Sequence, residues 1–182
     1  MINTTMIFQE LKSHKCLKDE WANVLKILEE TKLSIWLSGK ENFEDFYVVN
    51  FPDSKEVVCC FTFSQNADVG ILKNFAVPKK YQGKGIATHI ANNEILKVAK
   101  EKGIKKLYLH GNDRGPYTSI HFWKKTIYKH IMSSEVKDQF YIDYFDYLIN
   151  NYSDDVLFKE AIFYLDIEKH FEELEKLSAK IS

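Results

Sequence analysis

Gln82-Gly83-Lys84-Gly85-Ile86-Ala87 constrains this chain more than any other stretch. An apolar run, Ile71 to Val77, precedes it, and a helical pattern, Thr88 to Lys102, follows. The order is therefore strand, short glycine-bearing loop, helix N-terminus. Glycine admits positive φ and lets backbone approach a ligand closely. The first turn of a helix carries unpaired N–H groups and the positive end of the dipole. Joined in this way, the two make a cradle for a phosphate or pyrophosphate.

The rest of the chain can build a core around that unit. Its 182 residues suit one domain, and 45% apolar with 28% charged residues is the composition of an ordinary globular protein. No apolar run reaches the roughly 18–20 residues needed to span a bilayer. The N-terminus, Met1-Ile2-Asn3-Thr4-Thr5, lacks the basic start and apolar segment of a signal peptide. Cys16, Cys59 and Cys60 give neither a disulfide framework nor zinc-ligand spacing, so buried thiols in a reducing, cytoplasmic setting are expected. Residues 71–130 hold 13 Lys/Arg against 3 Asp/Glu, although the whole chain sums to −1. A basic middle can draw in a polyanionic ligand. Nucleic acid is a poor candidate, because no recognisable binding module is present and the aromatics fall in core-like patterns.

Trp21, Val24, Leu25 and Leu28 follow the i, i+3, i+4, i+7 spacing and predict a helix over 19–32. A short first strand is expected over Met6–Leu11. Three strands follow over Phe46–Phe51, Glu56–Ser64 and Val69–Val77, separated by turns at 52–55 and 65–68, which is an antiparallel meander. Their near-continuous apolarity predicts burial on both faces. After the glycine loop, Ala87, Ile90, Ala91, Ile95 and Val98 give one helix ending at Gly103, and Ile104–Leu109 a strand. A helix of that length between strands permits a parallel crossover. Helices are then predicted over Ser119–Tyr128 and Ser133–Tyr152, the second capped by Ser133 or Ser134. A strand over Ala161–Ile167 and a charged helix over Glu168–Ala179 close the chain.

This order resembles the GNAT acetyltransferase superfamily, whose acetyl-CoA signature is Gln/Arg-x-x-Gly-x-Gly/Ala. Gln82 to Ala87 fits it at every specified position, and Asn74-Phe75-Ala76-Val77-Pro78 with Tyr81 is similar to the family's approach to that loop. The resemblance implies a single GNAT-like α/β (α+β) domain over 1–182. Its sheet is mixed and mostly antiparallel, with six or seven strands flanked by helices and splayed at the acetyl-CoA site. Residues 69–128 form the acetyl-CoA core, and 1–45 with 130–182 shape the acceptor side.

The resemblance also implies a site. Backbone of Phe75, Ala76 and Val77 would pair with pantetheine, and the amides of Gln82, Gly83, Lys84, Gly85, Ile86 and Ala87 would hold the pyrophosphate. An N–H near Phe75 would stabilise the developing oxyanion. The expected reaction is N-acetyl transfer from acetyl-CoA to a primary amine by direct attack, with no metal. The acceptor is a small-molecule or peptide amine, and the protein a monomer or homodimer. Neither nucleic acid nor membrane is expected as a partner.

Two departures bear on mechanism. Ser119-Ile120-His121-Phe122-Trp123-Lys124-Lys125 puts Trp123, a further cofactor-side residue, where the family usually has Tyr, and an indole N–H is not a useful proton-transfer acid. Lys73-Asn74 stand where a carboxylate is often found. The catalytic residue therefore stays unassigned, with His110, Tyr117 and Tyr128 as candidates. A catalytically quiet acyl-CoA-binding or sensor module is the competing reading. Glu41, Glu44, Asp45, Asp138, Asp143, Asp146, Asp154 and Asp155 concentrate acid outside the core, which would favour a cationic amine.

Overall fold

The structure is a computed structural model that describes residues 11–33, 37, 39–52, 54–111, 119–152 and 161–181. Among these, seven strands form a mixed sheet: β1 (Lys12–Lys15), β2 (Phe46–Asn50), β3 (Val57–Asn66), β4 (Val69–Ala76), β5 (Lys106–His110), β6 (Lys129–Ile131) and β7 (Ile162–Asp166). Their order is β1-β2-β3-β4-β5-β7-β6. The helices are α1 (Trp21–Glu30), α2 (Ile86–Asn92), α3 (Glu94–Glu101), α4 (Ile120–Trp123), α5 (Gln139–Tyr152) and α6 (Ile167–Ile181). No helix among the described residues is long and apolar enough to cross a membrane. The chain divides into two compact units, and each is taken by itself.

The first unit comprises the described residues of Met1–Phe63 with Leu72–Val98. Within the predicted meander β2 pairs antiparallel with β3 across the 52–55 turn; β1, which no turn predicts, pairs antiparallel with β2 from the other side. Residues 57–62 of β3 are all buried, so the unbroken apolar run is covered on both faces. On one face Tyr47 stacks on Phe61 with centroids 5.6 Å apart. On the other, Phe46, Val48 and Cys60 pack with Val24, Ile27 and Leu28 of α1. Leu28 is fully buried, and its loss to Ala would cost about 2–5 kcal/mol. The stripe lies slightly off the predicted one, because Ile27 turns inward and Leu25 is 41% exposed.

A buried carboxylate fixes the entry to α1. Glu20 accepts from the Leu17 N–H at 2.8 Å and from Asn50 Nδ2 at 2.9 Å, and His14 Nε2 lies 3.1 Å from its Oε1. Three polar partners offset the desolvation of the charge. On the opposite side of β1, the Ser13 N–H and hydroxyl both donate to Glu94 at the start of α3.

The second unit comprises the described residues of Ser64–Ile71 with Ala99–Ser182. β7 pairs antiparallel with both β5 and β6. A Cβ on Gly70 would sit 2.7 Å from Ile104 Cδ1, so only glycine allows this close approach. Gly103, at φ +74°, ends α3 in the left-handed conformation. The Asp68 carbonyl then accepts from both Lys105 and Lys106 N–H groups. Tyr108 of β5 stacks against Tyr141 of α5, centroids 4.6 Å apart.

Several elements differ from expectation. The strand predicted at Met6–Leu11 lies almost wholly outside the described residues, and the polar segment Lys12–Lys15 supplies β1 instead. The helix predicted over 88–102 breaks at Asn93 (φ −128°), whose side chain donates to the His89 carbonyl in competition with the helix ladder. The helix predicted to Tyr128 stops at Trp123, because the Thr126 hydroxyl donates to the Trp123 carbonyl. Lys129–Ile131 then forms β6, too short for a periodicity signal. Ser133 and Ser134 sit in a 3-10 turn, and Asp138 instead precedes α5.

Candidate active site

The glycine loop lies wholly in the first unit. β4 runs out through Phe75 and the buried Ala76 and Val77, and the Pro78 carbonyl starts a 3-10 turn by accepting from Tyr81. Gln82 folds back so that its Nε2 donates to the Val77 carbonyl at 2.8 Å. Gly83 and Gly85 both take positive φ, +72° and +79°, and Gly85 is the N-cap of α2. A Cβ on Gly83 would meet nothing within 4 Å, so conformation rather than crowding requires glycine there.

The first intrahelical bond of α2 runs from the His89 N–H to the Gly85 carbonyl. The amides of Ile86, Ala87 and Thr88 therefore point out of the first turn as donors without helix partners. Residues 82–85 are exposed, which leaves the loop open to a ligand. No carboxylate lies in residues 79–88, while Lys79, Lys80 and Lys84 do. Lys80 is paired with Glu56. The loop thus fits an anionic, multi-acceptor group such as a pyrophosphate.

β4 carries a feature that composition does not announce. Asn74 has φ +54°, a left-handed residue inside a strand. Asn tolerates this conformation better than most residues, which is the only sequence signal for it. It interrupts the extended run one residue before Phe75. Lys73 beside it is half-buried; burial pushes its ammonium pKa down, and Glu41 and Asp45 oppose that shift.

The remaining candidates lie in the second unit. Trp123 is buried at the end of α4, edge-on to Phe122 and Tyr128 at 4.8 and 5.3 Å. Tyr128 is buried as well, and burial drives its phenol pKa well above the ordinary range. It is therefore a reluctant proton donor. His110 ends β5 against Phe145, centroids 6.1 Å apart, with Nδ1 enclosed and the residue as a whole half-buried. Burial pushes its pKa down to about 4, so the imidazole is neutral at pH 7 and a weak base. Tyr117, Asp154 and Asp155 lie outside the described residues. Of the acidic residues expected to favour a cation, Asp138 is engaged by Lys106 at 3.0 Å and Tyr108 at 2.5 Å. Asp143 accepts from Gln139. Among the described residues no group of three or more His, Cys, Asp or Glu is placed to hold a metal ion.

The fold and the loop define a class, and comparison with known proteins gives its name. The profile of the acetyltransferase (GNAT) family matches residues 13–127. The chain belongs to the GNAT acetyltransferase family. None of the curated proteins matches the sequence. Among solved structures, N-acetylglutamate synthase from Neisseria gonorrhoeae, complexed with coenzyme A and N-acetyl-glutamate, superposes with a TM-score of 0.63 at 12% identity. That match covers 86% of this chain and 35% of the synthase, so the chain spans about a third of that enzyme's length. A GNAT-family acetyltransferase from Staphylococcus aureus gives 0.59 at 10% identity, covering 86% of this chain and 99% of that one. A Mycobacterium tuberculosis protein in complex with CoA gives 0.56 at 16%, covering 85% and 98%. At these identities the likeness is one of fold.

Proposed function

We propose that the protein is an acetyl-CoA-dependent N-acetyltransferase that moves an acetyl group to a primary amine by direct attack. One observation carries the reading: in a GNAT-family chain, two left-handed glycines join the end of β4 to an open helix N-terminus. Acetyl-CoA supplies an activated thioester. The amides from Gln82 to Ala87 bind its pyrophosphate, and the backbone of Phe75, Ala76 and Val77 orients the pantetheine. The left-handed Asn74 turns the strand where a backbone N–H is needed for the developing oxyanion. Trp123 is read as a packing residue on the cofactor side. Its indole moves no proton, so the amine must lose its proton to water or to a group not yet assigned.

The acceptor is read as a small-molecule or peptide amine. The N-acetylglutamate synthase that shares the fold is complexed with N-acetyl-glutamate, which supports an acceptor of that size. With Asp138 and Asp143 engaged elsewhere, acid able to attract a cationic amine is thinner than composition implies. The whole chain is read as one N-acetyltransferase-like domain, with 1–45 and 130–182 shaping the acceptor side. Three buried thiols suit a cytoplasmic location.

The test is calorimetric titration with acetyl-CoA, followed by an amine panel read out as free CoA thiol. Binding with turnover of any amine supports the proposal, and failure to bind overturns it. A second reading, an acyl-CoA-binding or sensor module, is favoured by Trp123 in the usual Tyr position beside a reluctant Tyr128 phenol. Turnover anywhere in the panel eliminates it, while a Trp123→Tyr variant that gains activity would support it.

A further inference from the structure

We propose that Lys73 is a self-acetylation site: with no acceptor amine present, its ε-amine takes the acetyl group from acetyl-CoA bound to the same chain. The inference rests on the reading of β4 and the glycine loop as the acetyl-CoA site. Among the described lysines of the first unit, Lys73 alone is not exposed. Among the described residues no carboxylate stands within ion-pairing distance of its ammonium, although Glu41 and Asp45 are near enough to act on it. The strand register accounts for that neighbourhood. Phe46, next to Asp45, pairs with Thr62 of β3, and Thr62 Oγ1 lies 3.5 Å from the Lys73 carbonyl. The amine thus sits beside residues 41–45, in the segment read as shaping the acceptor side.

Reach and protonation both favour the transfer. Phe75, near which the oxyanion donor is read, follows Lys73 by two residues. The left-handed Asn74 between them shortens a span that would be roughly 7 Å in an extended strand. An amine on a flexible four-carbon stem covers such a gap. Burial pushes its pKa down and so raises the share of neutral, nucleophilic amine. That amine attacks the thioester carbonyl, a C–N bond forms, and the C–S bond breaks with its electron pair leaving on CoA as thiolate. The surplus proton on nitrogen passes to the Glu41 or Asp45 carboxylate and on to water. Tethering the amine beside the thioester gives it an effective concentration that a free amine does not reach. The product is a neutral amide, while Glu41 and Asp45 keep their charge. Self-acetylation therefore removes one positive charge from the acceptor side and shifts preference toward cationic amines.

The test incubates the full chain with acetyl-CoA and no added amine, and follows intact mass, free CoA thiol and the modified peptide. The chain should gain the mass of one acetyl group, mapped to Lys73, with one thiol released per chain. The rate constant should not change with protein concentration, because donor and amine share a chain. Lys73→Arg should lose the modification while calorimetry still shows acetyl-CoA binding. Gly85→Asp should lose it too, leaving only the slow background on exposed lysines such as Lys79 and Lys84. Calorimetric binding of acetyl-CoA without acetylation of Lys73 overturns this inference and leaves the proposed function standing. Failure to bind acetyl-CoA overturns both. A rate that rises with protein concentration, or Lys73 acetylated as fast in Gly85→Asp as in the wild type, also overturns it.

Discussion

The Gln82 side-chain amide donates to the Val77 carbonyl at 2.8 Å, so the residue that opens the loop also ties it to the end of β4. An exposed glutamine thereby sets the distance between the strand backbone and the helix N-terminus. A neutral hydrogen bond of this kind is worth about 0.5–1.5 kcal/mol net. Gln82→Ala is expected to lower stability by about that amount in urea unfolding. It should weaken CoA binding by roughly three- to tenfold in calorimetry. Unchanged affinity would mean that the tether does not organise the loop.

The two loop glycines should respond differently. Gly83→Ala adds a methyl group to open space but at φ +72°, so its penalty is conformational, about 1–2 kcal/mol, and CoA should still bind. Gly85→Asp places a side chain and a negative charge at the N-cap of α2, against any phosphate held there. It should abolish CoA binding while the protein stays folded by circular dichroism. Normal binding by Gly85→Asp would mean that the phosphate site lies elsewhere.

His110 makes stability depend on acidity. Its pKa falls from 6.5 to about 4 on burial, so between these values the unfolded chain takes up a proton that the folded protein refuses. Stability from this group is complete above pH 6.5 and is lost as pH falls toward 4. The loss should be about 2–3 kcal/mol, at about 1.4 kcal/mol per pH unit. Urea midpoints at pH 7 and pH 4.5 should show His110→Gln losing less than the wild type. Equal losses in both proteins would assign the acid sensitivity to other groups.

The parts of the fold that could be read from sequence are those with a repeating signal. The meander follows from alternating strand and turn residues, and the loop from glycines set between a strand and a helix. What escaped depends on single side chains acting against periodicity. Asn93 breaks a helix whose apolar stripe runs on unchanged through Ile95 and Val98, and Thr126 ends α4 without any glycine or proline. Asn74 enters the left-handed region within an apolar strand, where pattern alone predicts an extended residue. In the candidate site, the conformation of the loop was legible because it is backbone geometry marked by glycine. The proton chemistry was not, because whether His110 or Tyr128 can move a proton depends on burial, and burial belongs to the fold rather than to the local sequence.

Glu20 is the clearest case of burial deciding a residue's role. It is only 6% exposed, yet it accepts from Leu17 and Asn50 and pairs with His14. Asp19, its neighbour, points outward toward Lys55 at 3.5 Å, with both side chains largely exposed. The two acidic residues are indistinguishable by charge and adjacent in sequence, so their substitution separates burial from charge. Glu20→Ala strands the buried Asn50 amide and the Leu17 N–H, and should cost about 2–4 kcal/mol in urea unfolding. Asp19→Ala should change stability by less than about 0.5 kcal/mol. Glu20→Gln keeps the shape and one acceptor, and should fall between them. Similar values for Glu20→Ala and Asp19→Ala would remove the argument that a buried carboxylate anchors β1 and α1.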